Sequence, residues 1–293
     1  MHSKFRGTGV ALVTPFNEDF SVDYSGLERL LDLTIREGAD YLVVNGTTAE
    51  SPTTTETEKN AILSFVVNHA KGKPVVYGLG GNNTSELITK LGKLEKAGVD
   101  AILSVSPYYN KPSQEGIYQH YSTLAASTEL PIILYNIPGR TGSNVSAKTT
   151  IRLSQIKNVI GTKEASGDFS QCLEIIKNTS SDFLLLSGDD MLAVPLISIG
   201  GQGVISVLAN AFPRIFCQMI KDALNDDFSS AAKTLRSFVD INHLLYEEGN
   251  PVGLKTVLHY NKICNPLVRL PLVKASENLT KKIEEVLQKL EVN

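Results

Sequence analysis

A chain of 293 residues is long enough to bury a large core, and its length fits either two domains or one large α/β barrel. Its 42% hydrophobic and 20% charged residues are ordinary for a globular protein, and a formal net charge of −3 without a basic run argues against nucleic acid as a partner. No apolar run approaches the ~18 residues of a membrane span. The start, Met1 to Arg6, is polar, and Gly7 to Pro15 is too short and mixed for a signal core. Cys172, Cys217 and Cys264 lie far apart with no CxxC spacing, which points to a reducing cytoplasm rather than a disulfide framework or a zinc site.

In chain order, eight apolar runs read as strands: Val10–Val13, Tyr41–Val44, Val75–Leu79, Ala101–Val105, Ile132–Tyr135, Val159–Lys163, Phe183–Leu186 and Val204–Val207. Each is nearly continuous in hydrophobicity, as parallel strands buried on both faces are. Amphipathic stretches alternate with them. Asp23 to Glu37 places Leu27, Leu30, Leu31 and Ile35 at helical spacing and stops at Gly38. Thr84 to Ala97, Ser113 to Ser127 and Asp168 to Asn178 repeat the pattern. Eight βα units predict a (β/α)8 TIM barrel, with a doubly wound open sheet as the structural alternative. Strand-like blocks then cease. Helical patterns at Phe228–Tyr246, Pro251–Asn261 and Ser276–Leu290 predict a barrel over residues 1–225 and a C-terminal helical extension over 226–293 packed on it.

A TIM barrel builds its active site at the C-terminal ends of its strands. Lys163 ends the sixth run, so its stem should begin inside the barrel. A lysine there is costly to keep charged, and a neutral amine attacks carbonyls. The plain alternative is a lysine paired with Glu164 or Asp189, or reaching solvent. Tyr135 ends the neighbouring fifth run and could relay protons, or be a core tyrosine with a satisfied hydroxyl. Thr47 and Thr48 follow Gly46 in a turn, where their hydroxyls and amides could hold a carboxylate or simply cap a helix. Arg140, in the loop Pro138 to Gly142, suits a substrate carboxylate, or is a surface arginine. Gly188 and the Gly200–Gly203 stretch could admit a ligand close to backbone, or be turns. None of the five histidines ends a strand, and no metal-ligand or nucleotide-binding pattern occurs, so no metal and no cofactor is expected.

These stretches resemble the dihydrodipicolinate synthase family, within the N-acetylneuraminate lyase superfamily of class I aldolases. Gly46 to Ser51 resembles its GTTGES motif, Pro107 to Pro112 its PYYNKP, Tyr135 to Thr141 its YNVPxRT, and Gly161 to Ala165 its GIKEA. Ser187 to Asp190 and Gly203 to Val207 also match. The resemblance implies that Lys163 forms a pyruvate imine, and that Tyr135 shuttles protons relayed by Thr48 and by Tyr109. It implies that Tyr109 reaches across a tight dimer, within a tetramer built as a dimer of dimers. Thr47 and Thr48 would hold the pyruvate carboxylate, and Arg140 the carboxylate of L-aspartate semialdehyde. Gly188 and Ile205 would line the site through backbone carbonyls. The product would feed lysine and diaminopimelate synthesis. A lysine-inhibition site at the dimer interface would correspond to Ser51, Pro52, Glu56, Lys59, Asn82, Glu86 and Tyr108. Lys59 in place of a common histidine predicts weak or absent inhibition. Ala49 departs from the motif's glycine, so its turn must accept negative φ or carry mild strain. The rivals are a sugar-acid aldolase, such as N-acetylneuraminate lyase or a 2-keto-3-deoxysugar aldolase, and a non-catalytic keto-acid-binding barrel. Arg140 and the paired Tyr108 and Tyr109 favour the small amino-acid aldehyde over a sugar, and the set of Lys163, Tyr135, Thr48 and Tyr109 favours catalysis over binding.

Overall fold

The computed structural model describes residues 2–94 and 98–291. Eight parallel strands close into a barrel in sequence order. They are β1 Gly7–Ala11, β2 Tyr41–Val44, β3 Val75–Gly78, β4 Ala101–Val105, β5 Ile132–Asn136, β6 Val159–Glu164, β7 Leu184–Ser187 and β8 Gly203–Ser206. Helices α1 Tyr24–Arg36, α2 Glu56–His69, α3 Thr84–Leu94 and α4 Gln114–Ala126 follow the first four strands. Strand β5 is followed by the single turn α5 Pro138–Thr141 and by α6 Ala147–Leu153. Then come α7 Phe169–Asn178, α8 Ala193–Ser198 and α9 Pro213–Leu224, after β6, β7 and β8. The chain ends in α10 Phe228–Ser237, α11 Val239–Tyr246, α12 Val252–Tyr260 and α13 Glu277–Glu291. The helix expected over Thr84 to Ala97 is seen to Leu94, and its last three positions lie outside the described residues.

Strand side chains split into two layers. Tyr41, Val76, Ile133, Ile160, Leu184 and Ile205 fill the barrel, while their alternates pack outward under the helices. This two-sided burial is why the strands read as unbroken apolar blocks. Strand β1 begins at Gly7, three residues before the apolar run that signals it. Its first residues are small for a reason. A Cβ on Gly9 would overlap the ring of Tyr41, which lies fully buried across it. Helix α1 starts where Asp23 caps it, accepting from the Gly26 amide at 2.8 Å, and its Leu27, Leu30 and Leu31 stripe is buried. Helix α2 opens on a reciprocal Thr55–Glu58 capping box.

The helix expected over Phe228–Tyr246 is two helices. The break is Phe238, whose buried ring packs against Phe212 and Phe216 at 5.6 and 5.9 Å. Anchoring that ring turns the chain, so α11 leaves the face of α9 that α10 covers and joins α12 and α13. Gly253 lets α12 approach α11 closely, since a Cβ there would stand 2.5 Å from the Leu244 carbonyl oxygen. Among the described residues no helix is long and apolar enough to cross a membrane. Cys172, Cys217 and Cys264 are buried, unpaired thiols.

Candidate active site

A cavity of about 530 Å³ opens at the C-terminal mouth of the barrel. Its floor includes Ala11, Val43 and Leu103, and its walls include Thr47, Thr48, Tyr135, Arg140, Lys163 and Gly188. Strand register explains the pairing at its centre. Tyr135 and Lys163 are direct partners across β5 and β6, and Lys163 faces Leu186 on β7. Tyr135 and Leu186 belong to the barrel interior, so parity places Lys163 inward as well.

Lys163 is 6% exposed, and its Nζ lies 4.3 Å from the centre of the Tyr135 ring. Among the described residues that Nζ has no hydrogen bond or ion pair. Glu164, one position on, points out of the barrel, where its carboxylate accepts from Asn136 Nδ2 at 3.0 Å, Gln171 Nε2 at 3.0 Å and the Ser166 amide at 2.8 Å. Asp189 accepts from the Met191 amide at 2.8 Å. The structural partners open to Lys163 on sequence grounds are therefore engaged elsewhere. Gly188 packs beside it: a Cβ there would stand 2.6 Å from Ala165 Cβ and 3.2 Å from Lys163 Cε.

Thr47 and Thr48 lie in a short 3-10 turn after β2, with Thr48 buried. The turn's left-handed residues are Asn45 at φ 59° and Glu50 at φ 56°, not Ala49, which keeps a negative φ and needs no glycine. Asn45 secures the entry by donating to the Gly78 carbonyl at 2.8 Å, and the Ala49 carbonyl accepts from Thr14 Oγ1 at 2.7 Å. Glu50 secures the exit. Its buried carboxylate takes Lys255 Nζ at 2.6 Å and the Arg269 amide at 2.8 Å. Lys255 is thus a second buried lysine, but it is neutralised by Glu50 and does not line the cavity.

Arg140 lies on α5 at the cavity rim, exposed and without an ion-pair partner among the described residues. Ile205 is fully buried in the barrel interior, and Val207, two residues on, is the β8-side residue that lines the cavity. Tyr109 is 87% exposed at φ 75° and lies away from this chain's own cavity. Two wall residues come from the C-terminal helices and carry no sequence signal: Tyr246 at the end of α11, and Asn250, whose Nδ2 donates to Thr48 Oγ1 at 3.0 Å. Burial first, then the charges of Asp190 and Asp189, push the Tyr246 phenol up, while Arg140 opposes them.

The cavity continues between α2 and α3. Ser51, Pro52, Glu56, Lys59, Glu86 and Tyr108 line this part. Asn82 does not, and donates to the Tyr108 carbonyl at 3.2 Å. The region is already charge-paired: Lys59 meets Glu56 at 3.2 Å, and Lys90 meets both Glu56 at 3.4 Å and Glu86 at 2.8 Å. Lys90 was not foreseen, although Glu86 and Lys90 stand at the i,i+4 spacing that favours such a pair.

A buried amine beside a phenol, a hydroxyl-bearing turn and a rim guanidinium can form an imine with a keto acid and move protons around it. Comparison with known proteins agrees. The sequence model of the Dihydrodipicolinate synthetase family matches residues 4–290. The 4-hydroxy-tetrahydrodipicolinate synthase of Cytophaga hutchinsonii is 55% identical over 97% of this chain and 96% of its own. The crystal structure of the dihydrodipicolinate synthase of Thermotoga maritima superposes with a TM-score of 0.96 at 37% identity, over 99% of this chain and all of that one. The Acinetobacter baumannii dihydrodipicolinate synthase, in a structure complexed with pyruvate, superposes with a TM-score of 0.95 at 35% identity, over 98% of this chain and 99% of that one. This chain belongs to the dihydrodipicolinate synthetase family.

Proposed function

We propose that the protein condenses pyruvate with L-aspartate 4-semialdehyde to give 4-hydroxy-tetrahydrodipicolinate, acting as a 4-hydroxy-tetrahydrodipicolinate synthase. The observation that carries this is the inward Lys163, in register with Tyr135 and without an ion-pair partner among the described residues. The neutral amine attacks the pyruvate ketone and water leaves. Tyr135 accepts and returns protons as the carbinolamine collapses, with Thr48 relaying them. Thr47 and Thr48 hold the pyruvate carboxylate. Loss of a methyl proton gives the enamine, whose carbon attacks the aldehyde. Arg140, exposed at the rim, holds the carboxylate of the second substrate. The substrate's own amine then displaces Lys163 and closes the ring, so no cofactor takes part. Gly188 keeps backbone close to the lysine.

Tyr109 completes the relay in a neighbouring subunit. Its ring, 87% exposed and away from this chain's own cavity, is available to a partner. The reading includes a dimer, and pairing of dimers into a tetramer. Residues 226–293 act as an extension that supplies site residues to the barrel. Three unpaired buried thiols fit a reducing cytoplasm. Lysine inhibits weakly or not at all, because Glu56 and Glu86 are already neutralised by Lys59 and Lys90.

Turnover of both substrates, coupled to NADPH oxidation by the reductase that consumes the ring product, tests the reading. Activity that disappears in Lys163→Ala is expected. No turnover, with a sugar acid cleaved to pyruvate instead, would replace it by a sugar-acid aldolase.

A further inference from the structure

Thr48 is held from an unexpected direction. Asn250, 202 residues away in sequence, donates its Nδ2–H to Thr48 Oγ1 at 3.0 Å, and both side chains are buried. A hydroxyl has one proton to give and lone pairs to accept with. Because Thr48 accepts from Asn250, its proton points elsewhere, and among the described residues it is given to no protein group. Thr14, packed against the same turn, spends its proton on the Ala49 carbonyl. Thr48 instead lines the cavity with its donor unspent.

The segment bearing Asn250 is fixed to the segment bearing Thr48 at a second point. Asn250 stands just before α12, and Lys255 on α12 forms the buried ion pair with Glu50, two residues beyond Thr48. Such a pair contributes little net stability compared with apolar packing. It does fix register between two segments that chain connectivity leaves independent.

We infer that Asn250 is a positioning residue: its amide N–H occupies the Thr48 oxygen and keeps the Thr48 proton directed into the cavity, towards the groups that react. It acts through Thr48. The inference rests on the pyruvate-imine reading of Lys163.

The test follows exchange of pyruvate methyl protons for deuterium by NMR, which needs the imine and enamine but no second substrate. Asn250→Asp keeps the shape but presents an acceptor to Thr48 and draws its proton away. Asn250→Ser, a smaller change that also removes the amide donor, covers the case in which the aspartate variant fails to fold. Either variant is expected to lower the maximal exchange rate about 10- to 100-fold, less than the ~10²–10⁴-fold of a lost proton-transfer group because the Thr48 hydroxyl stays and only its orientation is lost. The KM for pyruvate should move less than about 3-fold. In a Thr48→Val background the same change at Asn250 should cost less than about 2-fold, because the partner is gone. In a Thr48→Ser background the cost should return. Unchanged exchange, an effect on KM alone, or an undiminished loss in the Thr48→Val background would overturn the inference. No exchange in the parent protein would instead remove the imine reading, and this inference with it.

Discussion

Replacing Lys255 by methionine removes the cation from a pair in which both side chains are essentially inaccessible, 0% exposed for Lys255 and 1% for Glu50. The Glu50 carboxylate would keep one partner, the Arg269 amide at 2.8 Å, and lose the 2.6 Å bond to Nζ. Lys255 also donates to the Leu267 carbonyl at 2.7 Å and lies 4.1 Å from the Phe16 ring centre, so two further contacts go with it. Stranding a buried charge in this way costs about 3–5 kcal/mol. For a chain of this size that lowers the melting temperature by roughly 10 °C. Removing both charges is a different perturbation. Glu50→Gln with Lys255→Met leaves no orphan ion, and should lie within about 2 kcal/mol of the parent. Thermal melts followed by circular dichroism read all three proteins. The reasoning fails if Lys255→Met melts within about 2 °C of the parent, or if the double variant is no more stable than the single one.

Gly188→Ala puts a Cβ 2.6 Å from Ala165 Cβ and 3.2 Å from Lys163 Cε, so the backbone beside the lysine must shift and kcat/KM should fall on the order of 100-fold; steady-state kinetics, with a thermal melt as the folding control, check this. Burial pushes the Asp190 carboxyl up to about 6, against the amides of Leu208 and Val207, which lower it. The folded state then binds the proton more tightly than the unfolded state, so stability falls as pH rises from about 4 to about 6. Relative to Asp190→Asn, urea titrations should show the parent losing up to about 3 kcal/mol across that window, and parallel pH profiles would contradict this. Adding L-lysine to the turnover assay should leave the rate nearly unchanged, and strong inhibition would show that the Lys59, Glu56, Lys90 and Glu86 pairs open to admit a cation. Ala49→Gly should change activity little, since Ala49 already sits at negative φ.

The barrel was legible because its strands are buried on both faces and its helices on one, which leaves distinct periodicities in the sequence. Lys163 and Tyr135 were legible for the same reason: each closes an apolar run, and a parallel register with period two puts both inside. Helix α2 escaped notice, although Thr55 and Glu58 carry the capping-box spacing that marks its start. The contributions of the C-terminal helices were not legible. Asn250 meets Thr48 and Lys255 meets Glu50 across 202 and 205 residues, and nothing local distinguishes either residue from a surface polar group. The docking of α12 shows that Lys255 is a buried structural lysine paired with Glu50, whereas Lys163 has no ion-pair partner among the described residues. Likewise, the split at Phe238 depends on Phe212 and Phe216 arriving from another helix.

That contrast between two buried lysines sets the most direct test. Incubating the protein with pyruvate and borohydride, then mapping the reduced adduct by peptide mass spectrometry, reads the nucleophile itself. The adduct is expected on the peptide containing Lys163 and should be absent in Lys163→Ala. An adduct on Lys255, or none on a protein that still consumes pyruvate, would contradict the assignment of Lys163 as the imine-forming residue.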